Sequence, residues 1–194
     1  MAVLPIVITG NPVLHTPAKP VERFDDELRR LVDDMFETMD EAPGVGLAAP
    51  QVGVGLRLFV YGWEDEDGYL RRGVAINPEL WQSPLDLGPA DDDEESEGCL
   101  SIPGERFPLR RAERVILRAV DLDQEPFEIV AEGWLARIFQ HEYDHLDGVL
   151  YADRLEHVHA KAIQKAIKKS GWGKPDDSWM PGIDHLEGEH PARG

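Results

Sequence analysis

Residues 140–148 read Gln140-His141-Glu142-Tyr143-Asp144-His145-Leu146-Asp147-Gly148. Inside this stretch lies His-Glu-x-x-His. On a helix, His141 and His145 stand one turn apart and share a face. Two imidazoles so placed can hold one divalent cation, and the Glu142 carboxylate beside them can move a proton. The alternative is a pair of surface histidines on an amphipathic helix. The preceding Trp134, Leu135, Ala136, Ile138 and Phe139 argue against it, because they make the helix apolar on most of its surface. Such a helix is buried, and buried imidazoles need partners. A metal site is therefore expected on a helix over residues 132–147, stopped by Gly148.

The elements around this helix follow from periodicity and breakers. Residues 113–122 and 127–131 alternate as a strand pair, with a turn near Asp123-Gln124. Residues 25–41 place Leu28, Leu31, Val32, Met35, Phe36 and Met39 on one helical stripe, capped by Asp25 or Asp26 and stopped by Pro43-Gly44. The small-residue segment 44–51 leads into a strand at 56–61. Residues 63–72 read as a hairpin loop, 74–77 as a short strand ended by Pro78, and 91–96 as a solvated acidic loop. A last helix over 153–169 would bury Leu155, Val158, Ala162, Ile163 and Ala166, and gather Lys161, Lys165, Lys168 and Lys169 on another face. Pro5, Pro12, Pro17 and Pro20 keep residues 1–20 irregular.

The order of elements predicts an α+β fold. Mainly antiparallel sheets would pack around the central His-Glu-x-x-His helix, with an N-terminal and a C-terminal helix. A catalytic domain over 1–169 would be followed by a Gly-, Pro- and acid-rich tail over 170–194. Trp172, Trp179 and Met180 imply that this tail packs on the domain in part.

Composition limits the function classes. The chain has 194 residues, of which 42% are hydrophobic, enough for one domain with a sizeable core. A net charge of -18 argues against a nucleic-acid binder that works through its whole surface, though not against a local basic face. No DNA partner and no membrane are expected. No apolar run is long enough to span a bilayer. The apolar start lacks a basic leader and soon meets Gly10 and Pro12, so a secretory signal is not expected and a cytoplasmic location is.

A catalytic metal site needs a third protein ligand and an open position. In metzincins the third ligand is a histidine after the glycine, and Tyr151 stands there instead. In thermolysin-like proteases it is a glutamate about twenty residues on, and residues 160–169 contain none. The single cysteine, Cys99, remains; a lone cysteine can equally be a small buried hydrophobe or a nucleophile, but two histidines with a neighbouring glutamate fit a ligand better. Cys99 follows Gly98, where the backbone can bend to aim it, and as a thiolate it is a strong ligand for zinc or ferrous iron. A Cys-His-His set leaves room for one water, which a metal can ionise near neutral pH.

Three stretches together resemble the peptide deformylase family. Its signatures Gly-x-Gly-x-Ala-Ala-x-Gln, Glu-Gly-Cys-x-Ser and Gln-His-Glu-x-Asp-His-x-x-Gly occur, in order and without a defect, at 44–51, 97–101 and 140–148. The resemblance runs from about residue 4 to 169; the acidic insertion and the tail lie outside the motifs. It implies hydrolysis of the formyl group from the N-terminal methionine of nascent polypeptides, releasing formate. Cys99, His141 and His145 would then bind Fe2+, with Zn2+, Ni2+ or Co2+ able to substitute. Glu142 would act as the base for the metal-activated water, and later as the acid toward the leaving amine. The Gln51 amide and the Leu100 N–H would stabilise the oxyanion. Glu97 and Gln140 would brace the metal loop and helix, while Asp144 is either a surface acid or a bracing partner. The substrate would lie extended along 44–47, including Val45 and Gly46, and along the stretch after Ser101. Candidates to meet its methionine are Val45, Leu100, Ile138 and the stem of Arg137, with Val45 and Ile138 reading equally well as plain core. The lysine face at 161–169 reads either as solvated surface or as a dock for ribosomal RNA.

Overall fold

The structure, a computed structural model, describes residues 2–65 and 67–186. A five-stranded antiparallel sheet is its centre. In chain order its strands are β2 (Gly46–Ala48), β3 (Leu58–Glu64), β4 (Leu70–Gln82), β7 (Arg114–Val120) and β8 (Pro126–Glu132), and they lie side by side in that order. Two strand pairs flank it: β1 (Ile6–Val7) with β9 (Ser178–Trp179), and β5 (Ser96–Cys99) with β6 (Ile102–Pro108). The helices are α1 (Asp26–Glu41), α2 (Gly133–Leu146), α3 (Tyr151–Arg154) and α4 (His157–Ser170).

The run Leu58-Phe59-Val60-Tyr61 explains how the sheet is covered on both faces. Side chains alternate along a strand. Leu58 and Val60 join Val32, Met35 and Met39 of α1 in one core cluster. Phe59 and Tyr61 join Leu135, Ile138 and Phe139 of α2 in a second. The Tyr61 and Phe139 rings meet edge-on at 5.0 Å between centroids, a favoured aromatic geometry. The chemistry-bearing helix α2 is thus clamped on the sheet. A third cluster, with Leu14, Ile102, Tyr151, Leu155 and Ile163, lies under α4 and includes Cys99. Asp25 caps α1, its side chain accepting from Glu27 N and Leu28 N.

Several expectations need correction. Pro78 does not end its strand: β4 runs on to Gln82. The register slips between Ile76 and Glu79, and Asn77 adopts a positive φ of 50°, so a bulge absorbs the proline. The loop expected at 63–72 shrinks to a short turn, with Trp63 and Arg71 paired in β3 and β4. Residues 1–20 are not wholly irregular, since β1 forms and Pro12–His15 is a 3-10 helix. The acidic loop is not wholly solvated: Glu95 is half-buried and pairs with Arg110 and Arg137.

The last helix breaks at Leu155, which is extended, and restarts as α4. The break shifts the phase of the helix. Ile163 is buried, and Ala160 and Ile167 pack with it, whereas Val158 is 65% exposed and Ala162 is exposed. Trp179 is buried and Trp172 and Met180 are half-buried, so the described part of the tail packs as expected; residues 187–194 lie outside the described residues. Among the described residues, no helix is long and apolar enough to cross a membrane.

Candidate active site

Cys99 ends β5, and His141 and His145 project from one face of α2. Their ligand atoms lie within 4.8 Å of one another. Cys99 Sγ is 3.3 Å from His145 Nε2, which is 3.2 Å from His141 Nε2. A thiolate and two imidazole nitrogens converging this closely form a donor set for a divalent cation. Two buried atoms beside it, Glu142 Oε2 and His145 Nδ1, have no hydrogen-bond partner among the described residues. The donor set therefore fits a metal with three protein ligands.

A buried ion network fixes this geometry. His141 Nδ1 lies 3.0 Å from Glu97 Oε1. Donation there leaves Nε2 free to ligate and sets the ring orientation. Glu97, only 3% exposed, also accepts from Arg111 Nη2 (2.7 Å), Arg111 Nε (3.2 Å) and Arg137 Nη1 (2.9 Å). Burial alone would raise the Glu97 carboxyl. The Arg111 charge and the His141 hydrogen bond outweigh it and hold the group well below the usual carboxylate range. Arg111 bridges onward to Asp144 Oδ2 at 2.6 Å, and Arg154 grips the same carboxylate with two bonds of 2.6 Å. Asp144 is thus a buried bracing partner of the metal helix.

Arg111 and Arg154 were not singled out in the sequence. Arg111 lies in the short, largely buried segment between β6 and β7, and only the fold brings it to Glu97. Gln140 ties α2 to the segment before β7. Its Oε1 accepts from Ala112 N at 2.9 Å, and its Nε2 donates to Ala112 O and Ala136 O at 2.9 and 3.0 Å.

Glu142 is 4% exposed. Burial pushes its carboxyl up to about 7, toward the value of a proton acceptor and donor that works near neutral pH. It faces the edge strand β2. A Cβ built on Gly46 would overlap Glu142 Oε1, so only glycine lets the strand approach this closely. His145 is driven well below its ordinary value, first by burial and then by the His141 and Arg111 charges, which favours the neutral, ligating form. Gln51 Oε1 accepts from Ala48 N at 2.8 Å, which turns its amide nitrogen toward Cys99 Sγ, 3.7 Å away.

The remaining expected residues fall as follows. Leu100 follows Cys99 in the turn between β5 and β6, and its side chain lies against Gly44. Val45 is half-buried next to Gly46. Ile138 lies in the core between α2 and the sheet. The Arg137 guanidinium is engaged with Glu97, Glu95 and, at 2.6 Å, Leu109 O. It is not free to greet a ligand, so only its stem can line a pocket. Lys161, Lys165, Lys168 and Lys169 are all exposed on α4.

The chain is 51% identical over 189 residues to the peptide deformylase of Mycolicibacterium smegmatis, a match covering 94% of this chain and 96% of that one. Among solved structures, a peptide deformylase from Legionella pneumophila superposes with a TM-score of 0.74 at 41% identity, covering 88% of this chain and 96% of that one. One from Acinetobacter baumannii with Met-Ala-Ser bound gives a TM-score of 0.69 at 37% identity, covering 79% of this chain and 98% of that one. The family is metal-dependent, which agrees with the Cys-His-His donor set. The sequence model of the polypeptide deformylases matches residues 3–161, from the strand that opens the fold to the helix beyond the metal ligands, and the chain belongs to that family of hydrolases, which remove the formyl group from formyl-methionyl nascent peptides.

Proposed function

We propose that deformylation is carried out here by Glu142, Gln51 and the Leu100 N–H around a ferrous ion held by Cys99, His141 and His145. The observation that carries this reading is the unpartnered Glu142 carboxylate oxygen, buried beside three converging metal donors. A cation held there would act as a Lewis acid toward water and toward the formyl oxygen. Glu142 takes the proton from the attacking water at its buried carboxylate and returns it to the departing methionine nitrogen. Gln51 Nε2 and the Leu100 N–H donate to the oxygen that gains charge; losing one such donor costs roughly 3 kcal/mol of barrier. Zinc, nickel or cobalt could occupy the same donors. Ferrous iron is preferred on the family resemblance.

The substrate is proposed to add as an extended strand beside β2, whose outer edge is unpaired within its sheet. Main-chain pairing along 44–47 and along β6 gives affinity without reading most side chains. The methionine would rest against Val45, Leu100, Ile138 and the Arg137 stem. The Acinetobacter relative binds Met-Ala-Ser, a peptide of the kind this reaction leaves.

We further propose a cytoplasmic enzyme with a catalytic unit over 1–169 and an appended 170–194 segment. The Lys161, Lys165, Lys168 and Lys169 face of α4 would dock on the ribosome. Lys161, Lys165 and Lys168 changed together to Glu should weaken ribosome binding and leave turnover of a short peptide intact; unchanged ribosome affinity removes the docking role.

The central test is formate release from formyl-Met-Ala-Ser by protein purified without oxygen, with Glu142→Ala alongside. Formate from the parent only, with equal metal content in both, supports the assignment. Equal rates from both would reject Glu142 as the proton carrier.

A further inference from the structure

We propose that Trp179, at the far end of the chain, is a positioning residue for the Leu100 peptide group. The inference rests on the reading of the Leu100 N–H as an oxyanion donor. Trp179 Nε1 donates to Leu100 O at 2.8 Å. The indole is 1% exposed and sits in the core cluster beneath α1. A buried indole N–H takes a partner, and this one takes a carbonyl one residue from the metal ligand Cys99. Thr9 N donates to the next carbonyl, Ser101 O, at 2.8 Å. The turn after Cys99 is thereby held from behind by the paired N- and C-terminal segments.

Geometry gives this tether its meaning. Peptide groups are planar, so Leu100 joins two rigid plates through its φ and ψ alone. The plate ahead of Leu100 carries its N–H and is anchored through Cys99. The plate after it carries the carbonyl that the indole holds. With both ends fixed, the N–H direction is fixed as well. A donor contributes most when it is already aimed before charge develops.

The tail is built to deliver the indole to this place. Ile6 pairs with Trp179 and Val7 with Ser178. Ile8 N donates to Asp177 O at 2.9 Å, and Asn11 Nδ2 to Pro175 O at 2.6 Å. Gly10 packs so closely on Gly173 that a Cβ would overlap its backbone.

The test compares full-length, metal-loaded Trp179→Phe and Ile6→Val with the parent on formyl-Met-Ala-Ser. Trp179→Phe removes the N–H. Ile6→Val trims the same core cluster opposite the indole and leaves the N–H in place. For Trp179→Phe, kcat should fall roughly 5- to 50-fold, with KM within about twofold and metal content unchanged. Ile6→Val should lower the melting temperature and leave kcat unaltered. A chain with benzothienylalanine in place of Trp179 keeps the bicyclic bulk without the N–H, and should show the same loss of kcat even if Trp179→Phe folds poorly. Parental kcat in the benzothienylalanine chain, or an equal kcat loss in Ile6→Val, would overturn the proposal. A parent protein that releases no formate would instead refute the site assignment itself, a separate result read first.

Discussion

Replacing Arg111 by Met removes the centre of the buried ion network while keeping an unbranched side chain of similar reach. The substitution breaks two bonds to Glu97, of 2.7 and 3.2 Å, and one of 2.6 Å to Asp144. Stripping one partner from a buried ion pair costs roughly 3–5 kcal/mol, since the other charge stays behind without compensation. Here the remaining acids keep some partners. Glu97 retains Arg137 and His141, and Asp144 retains both bonds from Arg154. The cost should therefore sit near the low end, about 3 kcal/mol. For a chain of this length that is a fall of roughly 6–12 °C in melting temperature.

The same change loosens the carboxylate that orients His141, so metal affinity should fall about 10- to 100-fold. Thermal unfolding of the metal-loaded protein and competition with a chelator measure the two effects. Arg111→Lys should rescue little, because a single ammonium cannot span Glu97 and Asp144 together. A melting temperature within about 2 °C of the parent, together with unchanged metal affinity, would refute the view that this network holds the site.

Other outcomes follow from the close approaches at the site. If Glu142 carries the proton as proposed, Gly46→Ala should cut kcat at least tenfold, on the order of what a small misplacement of a reacting group costs, because the new methyl displaces the Glu142 carboxylate; steady-state kinetics at equal metal content checks this. Gly148 has φ 75° at the end of the metal helix, and a Cβ there would stand 2.8 Å from the Thr16 backbone. Gly148→Ala should therefore destabilise by at least about 2 kcal/mol, read from denaturant midpoints at constant slope. Removing the metal with a chelator should abolish formate release and lower the melting temperature. Metal present at 1,000 times its dissociation constant contributes about 4 kcal/mol of stability. Anaerobic addition of Fe2+ should restore both activity and melting temperature.

The metal helix was legible because two independent signals coincide on it: the His-Glu-x-x-His spacing, and an apolar run that only a buried helix explains. Cys99 could be reached by elimination among third ligands. Its neighbours Gln51 and Leu100 carry no local pattern that separates a catalytic role from a turn or strand entry, so only the family resemblance marked them. Arg111 was invisible for a different reason. Its partners Glu97 and Asp144 lie 14 and 33 residues away in the chain, and an arginine next to a second one, Arg110, reads as surface until the fold buries it. The α4 stripe was misjudged because one extended residue, Leu155, resets the helical phase, and a periodicity count assumes an unbroken helix. β1 and β9 are two residues each, too short for any alternation to register.

The pairing of Ile6–Val7 with Ser178–Trp179 also bears on how the protein is made. Synthesis runs from the N-terminus, so the first strand emerges long before its partner exists. Until then the apolar Ile6 has no cross-strand neighbour, and the turn after Cys99 lacks one of its two tethers. Contacts this distant in sequence close late and slow folding. An enzyme whose substrates are nascent chains would thus complete its own site only once its own chain, through Trp179, has left the ribosome.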